Sequence, residues 1–226
     1  LSFFELALTI AAKDLRSELR TKEALNAAVA FAIVVLVLFS FAIDRVSGEI
    51  REMSGGLLWL VFAFAGALIL NRSFARELPN DCLDALLASP LSGASLFLGK
   101  ALASFVLLLI VELVSLLAFG ILYNLDWTRQ PGLLAAVLLL GTWGMTVIGT
   151  VFSALTVNLR LRELMLPMLV YPMMIPALMA AMRLTTLLIA AEPVSNDDWI
   201  WFRLLIGFDI IFTSLALGLV EIVLLG

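Results

Sequence analysis

The 226-residue chain contains no histidine and a single cysteine, Cys82. The first absence removes the commonest metal ligand and the usual general base near neutral pH. The second excludes an intrachain disulfide. Charge is scarce as well: 14% of residues are charged against 63% in the apolar set, and the mean hydropathy is +1.12. So apolar a chain leaves no room for a large water-soluble domain. The net charge of -4 sits on the connections between apolar runs, so bulk acidity does not select a partner, and nothing points to nucleic acid.

What the chain does have is long apolar runs. A hydrocarbon core ~30 Å thick takes about 20 residues of helix. Runs near or above that length lie at about 24–43, 55–70, 101–123, 132–157, 164–182 and 204–225. Peptide groups in lipid must be hydrogen-bonded within the segment, so these runs are expected to be helices. The expected fold is an all-α polytopic membrane protein with six spans, forming one domain over residues 1–226. Leu1 is not a natural start, so a few residues are expected ahead of it. A cleavable signal peptide is not expected, because the first 23 residues carry eight charges.

Residues 1–23 have a different pattern. Phe4, Leu8, Ala11, Leu15 and Leu19 recur at three- and four-residue steps, while Lys13, Asp14, Arg16, Glu18, Arg20 and Lys22 occupy the other face. That periodicity predicts an amphipathic helix lying in the headgroup plane. Lys13, Arg16, Arg20, Lys22, Arg72, Arg76, Lys100, Arg160 and Arg162 fall on the side of the arm, and Arg45, Arg51, Arg129, Arg183 and Arg203 on the other. The excess of basic residues on the arm side places both termini in the cytoplasm.

The connection between the second and third spans is the longest on that side. Pro79 stops the preceding helix, Asn80 or Asp81 can cap a new one, and Asp84 stands in its first turn, where the helix dipole favours an anion. Leu83, Leu86 and Leu87 form one apolar face, and Ser89-Pro90 ends the segment. A short helix over 77–91 is therefore expected. Its leucines fit either a groove on a partner or the chain's own spans and interface, and residue physics leaves both open.

An amphipathic arm, six spans and a capped short helix after the second resemble the permease subunits of ABC-2 transporters. More closely, Arg72, Phe74 and Glu77, then Leu83-Asp84-Ala85-Leu86-Leu87-Ala88-Ser89-Pro90-Leu91, then Gly99, Lys100 and Leu102 resemble the haem exporter protein B (CcmB) family. The resemblance implies a non-catalytic permease subunit of cytochrome c maturation in a bacterial inner membrane. It implies an ABC ATPase subunit as partner, together with a haem-handling membrane subunit and a small single-span subunit, in a homodimer or hetero-oligomer. ATP would bind the ATPase, no cofactor would bind this chain, and haem would be possible cargo, exported or released on a chaperone. The 77–91 segment would be the coupling helix, with Glu77, Asp81, Leu83, Asp84, Leu86, Leu87, Ser89 and Pro90 as its contact residues. A permease for another hydrophobic or amphipathic substrate and a non-transporting assembly scaffold are the alternatives.

Chemistry on the chain itself is sparse. Gly93 to Ala101 imitates a phosphate loop, but it has five residues between its glycines where the motif needs four, and Ala101 stands where a Ser or Thr must bind magnesium. Hydrolysis must then come from another chain. Met165, Met168, Met173, Met174, Met179 and Met182 crowd the fifth run and read as packing residues. Glu112 and Asp209 are intramembrane acids, which should face protein or water. Glu112 is expected to contact a partner span or join a polar line at the subunit interface, or else to bond locally with Ser115 or a carbonyl. Arg203 is within reach of Asp209. Pro167, Pro172 and Pro176 break the fifth run and suit a gate or a static kink. Gly149 and Ser153 permit close helix approach.

Overall fold

The computed structural model describes residues 2–42, 49–77, 92–125, 127–156 and 162–225. Its helices are α1 (Phe3–Thr21), α2 (Glu23–Ala42), α3 (Glu49–Ser73), α4 (Gly93–Tyr123), α5 (Pro131–Thr156), α6 (Arg162–Ile189) and α7 (Trp199–Leu225), with a 3-10 turn at Ala75–Glu77 after α3. Among the described residues, α2 to α7 each contain a stretch long and apolar enough to cross a membrane. The chain is an all-α, multi-pass membrane protein.

The arm starts with a capping box. The Ser2 hydroxyl accepts from the Glu5 N–H at 3.3 Å, and the Glu5 carboxylate accepts from the Ser2 N–H at 2.8 Å. It ends at Lys22, whose left-handed backbone (φ 57°) lets its N–H donate to the Glu18 carbonyl. The chain turns there without a linker, because α2 begins at Glu23. The buried Glu18 carboxylate accepts from the Leu25 N–H at 2.9 Å, so the last turn of α1 caps the first turn of α2.

α3 is the centre of the bundle and packs against α2, α4, α5 and α6. Trp59, Phe62, Leu58 and Leu70 on it are fully enclosed. Glycines on its neighbours admit these side chains. A Cβ on Gly141 would stand 2.2 Å from the Trp59 ring, and one on Gly149 would stand 2.4 Å from Leu70. The pairing of Gly149 with Ser153 thus serves one contact, since the Ser153 hydroxyl also donates to the Leu70 carbonyl at 2.8 Å. Polar staples fasten other crossings: Trp59 Nε1 donates to Thr185 at 2.9 Å, Tyr123 to the Leu36 carbonyl at 2.8 Å, and Tyr171 to the Ala63 carbonyl at 3.1 Å.

Several boundaries differ from the hydropathy reading. α4 begins at Gly93 instead of near 101, because Ser92 caps it, accepting from the Ser95 N–H at 3.2 Å. Lys100 therefore lies inside a helix and not in a loop. α6 runs past 182 to Ile189, with Arg183 turned to the exterior. α7 begins at Trp199, ahead of the apolar run at 204–225, so Trp199 and Trp201 are helical residues. α6 continues as one helix through Pro167, Pro172 and Pro176, so the three prolines do not end it.

The arm also presents a different face to the protein than its longest side chains suggest. Ala7, Ile10, Ala11 and Glu18 are buried, mainly by α4, whereas Phe4 is 69% and Leu8 61% exposed. Small residues allow the two backbones to meet, and the larger apolar ones are left for the membrane interface.

Candidate functional site

Besides Glu18 in the arm and Asp198 ahead of α7, the buried charged side chains among the described residues lie in two regions. The first lies where α1 crosses the start of α4, beside the end of α3. Gly99 permits the crossing: a Cβ there would come within 2.7 Å of both the Ala7 carbonyl oxygen and Ile10. The next residue, Lys100, is 0% exposed. An ammonium has three donors and no acceptor, and an unpaired one would not be tolerated in such a site. Here its three partners are Asp14 Oδ2 at 3.1 Å, the Ser73 carbonyl at 2.9 Å and Glu77 Oε1 at 3.1 Å. The Phe74 ring lies 5.1 Å from Nζ and adds a cation–π contact. Lys13 bonds the same Glu77 oxygen at 2.6 Å and stands 3.4 Å from Asp14. Two cations thus balance two carboxylates. Nearby, Arg72 pairs with Glu23 at 2.8 Å between two exposed side chains, a contact of small energetic weight.

The charges set one another's protonation. Burial pushes the Glu77 carboxyl up, but the Lys100 charge and the hydrogen bonds from Lys13 and Lys100 outweigh it and hold the group below its ordinary 4.5. Partial burial pulls Lys13 down, and its bond to Glu77 with the charges of Asp14 and Glu77 raises it above 10.5. A carboxyl with a lowered folded value contributes stability above its unfolded value and loses it as pH falls. A raised ammonium contributes below its unfolded value and loses it as pH rises. The arm should therefore remain docked between about pH 4.5 and 10.5 and loosen only outside that window. Spin-label mobility at an exposed arm position, Ser17→Cys in a Cys82→Ser background, would report this. A mobile arm at neutral pH would contradict the pairing.

Of the residues assigned to the coupling segment, Glu77 is in this cluster. Asp81, Leu83, Asp84, Leu86, Leu87, Ser89 and Pro90 lie outside the described residues, which stop at 77 and resume at 92. The cluster therefore fixes the 3-10 turn at Ala75–Glu77. Sequence reasoning treated Lys13 and Asp14 as part of a solvated face and Lys100 as a loop charge. The available signal was Lys100 itself: a lone cation in Leu96-Phe97-Leu98-Gly99-Lys100-Ala101-Leu102 has no polar face to occupy and needs buried partners.

The second place is inside the bundle. Glu112 is buried, and its Oε1 accepts from the Thr142 hydroxyl of α5. The contact is across spans and not local, because Ser115 donates instead to the Val111 carbonyl at 2.7 Å. Glu112 Oε2 and both oxygens of Asp209 have no hydrogen-bond partner among the described residues. The expected pairing of Arg203 with Asp209 does not occur. Arg203 is turned outward, while a Cβ on Gly144 would meet Asp209 at 2.8 Å. Glu112 and Asp209 approach α5 through different residues and do not form one site. Pro167 borders a cleft of about 750 Å³ with Phe31, Phe64, Leu68 and Leu164, and Pro172 and Pro176 face outward.

One cross-helix hydrogen bond in a membrane is worth ~0.6–1.7 kcal/mol, whereas an ionised acid at mid-span costs ~2.5–3.5 kcal/mol. Glu112→Leu is therefore expected to leave the isolated chain at least as stable as the parent. A drop in complex yield in Glu112→Leu, milder in Glu112→Gln, would then belong to a contact made in the assembly. If neither substitution changes complex yield, Glu112 has no part in assembly.

Six apolar helices, α3 central among them, and an amphipathic arm held against the start of α4 by a buried ion cluster define a polytopic membrane protein. The family model described as CcmB protein matches residues 5–219. The chain is 32% identical over 166 residues to heme exporter protein B of Paracoccus denitrificans, covering 74% of this chain and 76% of that protein. It is 31% identical over 166 residues to heme exporter protein B of Rhodobacter capsulatus, with 74% and 76% covered, and 29% identical over 199 residues to that of Pseudomonas aeruginosa, with 88% of each covered. This chain belongs to the CcmB family.

Proposed function

We propose that the chain is the membrane permease subunit of an ABC transporter complex for cytochrome c biogenesis. A partner subunit hydrolyses ATP, and this chain couples that hydrolysis to haem export or to release of a haem-loaded chaperone. The family match and the relatives named as heme exporters support the class of function. The observation that supports the coupling role is the cluster of Lys13, Asp14, Glu77 and Lys100, which ties the 3-10 turn at Ala75–Glu77 to α1 and α4. A load applied at Glu77 reaches α1, α3 and α4 together.

The chain itself supplies no nucleotide site and acts without catalysis, its haem serving as cargo. Its partners are the ABC ATPase, a haem-handling membrane subunit and a small single-span subunit. It resides in a bacterial inner membrane with both termini in the cytoplasm. Affinity purification of the tagged chain from native membranes should bring down an ATP-binding-cassette subunit and the haem-handling subunit. Recovery of the haem-handling subunit with no ATPase would favour a scaffold over a permease. Cys82 tests the orientation: a membrane-impermeant maleimide should label it only after spheroplasts are lysed, and labelling of intact spheroplasts would reverse the topology.

A further inference from the structure

The buried cation at position 100 has a geometry that stability does not require. Replacing a buried ion pair with well-packed apolar residues is often neutral or favourable, so such a group is weak evidence for a stabilising role. The helix packing of the bundle is made elsewhere, by Trp59 with Gly141, Leu70 with Gly149 and the crossing at Gly55. What Lys100 does have is direction. Each of its three hydrogen bonds goes to a different element: Asp14 on α1, the Ser73 carbonyl at the end of α3, and Glu77 on the 3-10 turn. Lys13 closes the loop by joining α1 to the same Glu77 oxygen. The arm is also tied to α2 by the Glu18 bond to Leu25.

We propose that Lys100 is a positioning residue that locks the amphipathic arm to the end of α3 and the 3-10 turn at Ala75–Glu77, so that these elements move as one body. The proposal rests on the coupling role described above but adds an element to it: α1 becomes part of the transmission path and not merely an anchor in the interface. The ammonium suits this task because it can bond three oxygens on three elements at once, which no apolar side chain does. Lys100→Arg keeps the charge and several donors and should preserve the lock. Lys100→Met leaves Asp14 and Glu77 facing each other with only Lys13 to balance them. Lys100→Met with Glu77→Gln removes one charge of each sign, so the remaining pair, Lys13 and Asp14, is again neutral.

The test uses the full chain in membranes with an arm reporter, Ala11→Cys in a Cys82→Ser background. Ala11 is buried in the arm–α4 contact, so its labelling rate by a small maleimide measures release of the arm. Relative to that parent, Lys100→Met and the charge-balanced double variant should each label roughly tenfold faster, as a locally opened element does. Both should lose about nine-tenths of ATPase stimulation in the purified complex, as the local lock is removed. The double variant should insert at parental levels, and Lys100→Arg should stay near the parent in both readouts.

A double variant that inserts normally with parental labelling and parental stimulation overturns the lock. So does one in which balancing the charges restores both readouts, for Lys100 would then only neutralise its neighbours. Fast labelling with undiminished stimulation overturns the arm's place in transmission. If the parent itself stimulates no ATPase, the permease reading fails, and the labelling rates alone decide whether Lys100 holds the arm.

Discussion

Leu86→Asp should abolish recovery of the ATP-binding-cassette subunit, and with it membrane-stimulated ATP hydrolysis and holocytochrome c production, while the chain still inserts at normal levels. The spacing of Leu83, Leu86 and Leu87 is the one expected of a helix that lies in a partner's groove. Truncating an anchor in a buried pocket costs ~2 kcal/mol or more, about thirtyfold in affinity, and an unpaired carboxylate in the same pocket costs more again. The spans are untouched, so insertion separates loss of docking from loss of folding. Ser92, just beyond the segment, is a poor control: it caps α4, and Ser92→Ala would remove about 0.5–2 kcal/mol of helix stability. Ser17→Ala, on the exposed side of the arm, is the appropriate one. Retention of the ATPase with full activity by Leu86→Asp would show that the segment is not the coupling helix.

The second large effect should come from a single methyl group. A Cβ on Gly55 would stand 2.1 Å from the Met182 carbonyl oxygen and 2.9 Å from the Thr186 nitrogen, both backbone atoms of α6. Side chains can rotate away from an intruder, but helix backbone cannot. The Gly55 N–H also donates to Thr186 Oγ1 at 3.1 Å, a bond that the same displacement would break. Overpacking a core typically costs ~1–3 kcal/mol, and Gly55→Ala should reach or exceed the top of that range. Gly56→Ala meets nothing within 4 Å and should be neutral, or stabilising by up to about 1 kcal/mol through helix propensity. Paired unfolding titrations in mixed micelles would compare them, and equal midpoints would contradict the close crossing of α3 and α6.

The sequence supported some expectations better than others. The six spans were legible because each apolar run reports its own solvent, and lipid permits only self-satisfied helices. Their ends were less so. Ser92 extends α4 to Gly93 by an N-cap that hydropathy does not register. Arg183 stays in α6 because one exterior arginine does not end a helix that is otherwise apolar. The arm was legible as amphipathic, yet its packed face is the one with the small residues Ala7 and Ala11. Periodicity ranks side chains by hydrophobicity, whereas close helix contact selects them by size.

By itself, then, the sequence determined that this is a six-span helical membrane protein with an amphipathic arm and no haem-ligating histidine. Those properties are local: each follows from the polarity, caps and periodicity of a single segment. The tertiary structure decided which charges meet. Lys13 and Asp14 lie 64 and 86 positions from their partners Glu77 and Lys100, and Thr142 lies 30 from Glu112. No spacing rule connects residues so far apart. They are joined because Gly99 lets α1 lie against α4, and a cation buried by that contact must find its counter-charges on whatever elements the packing brings within reach.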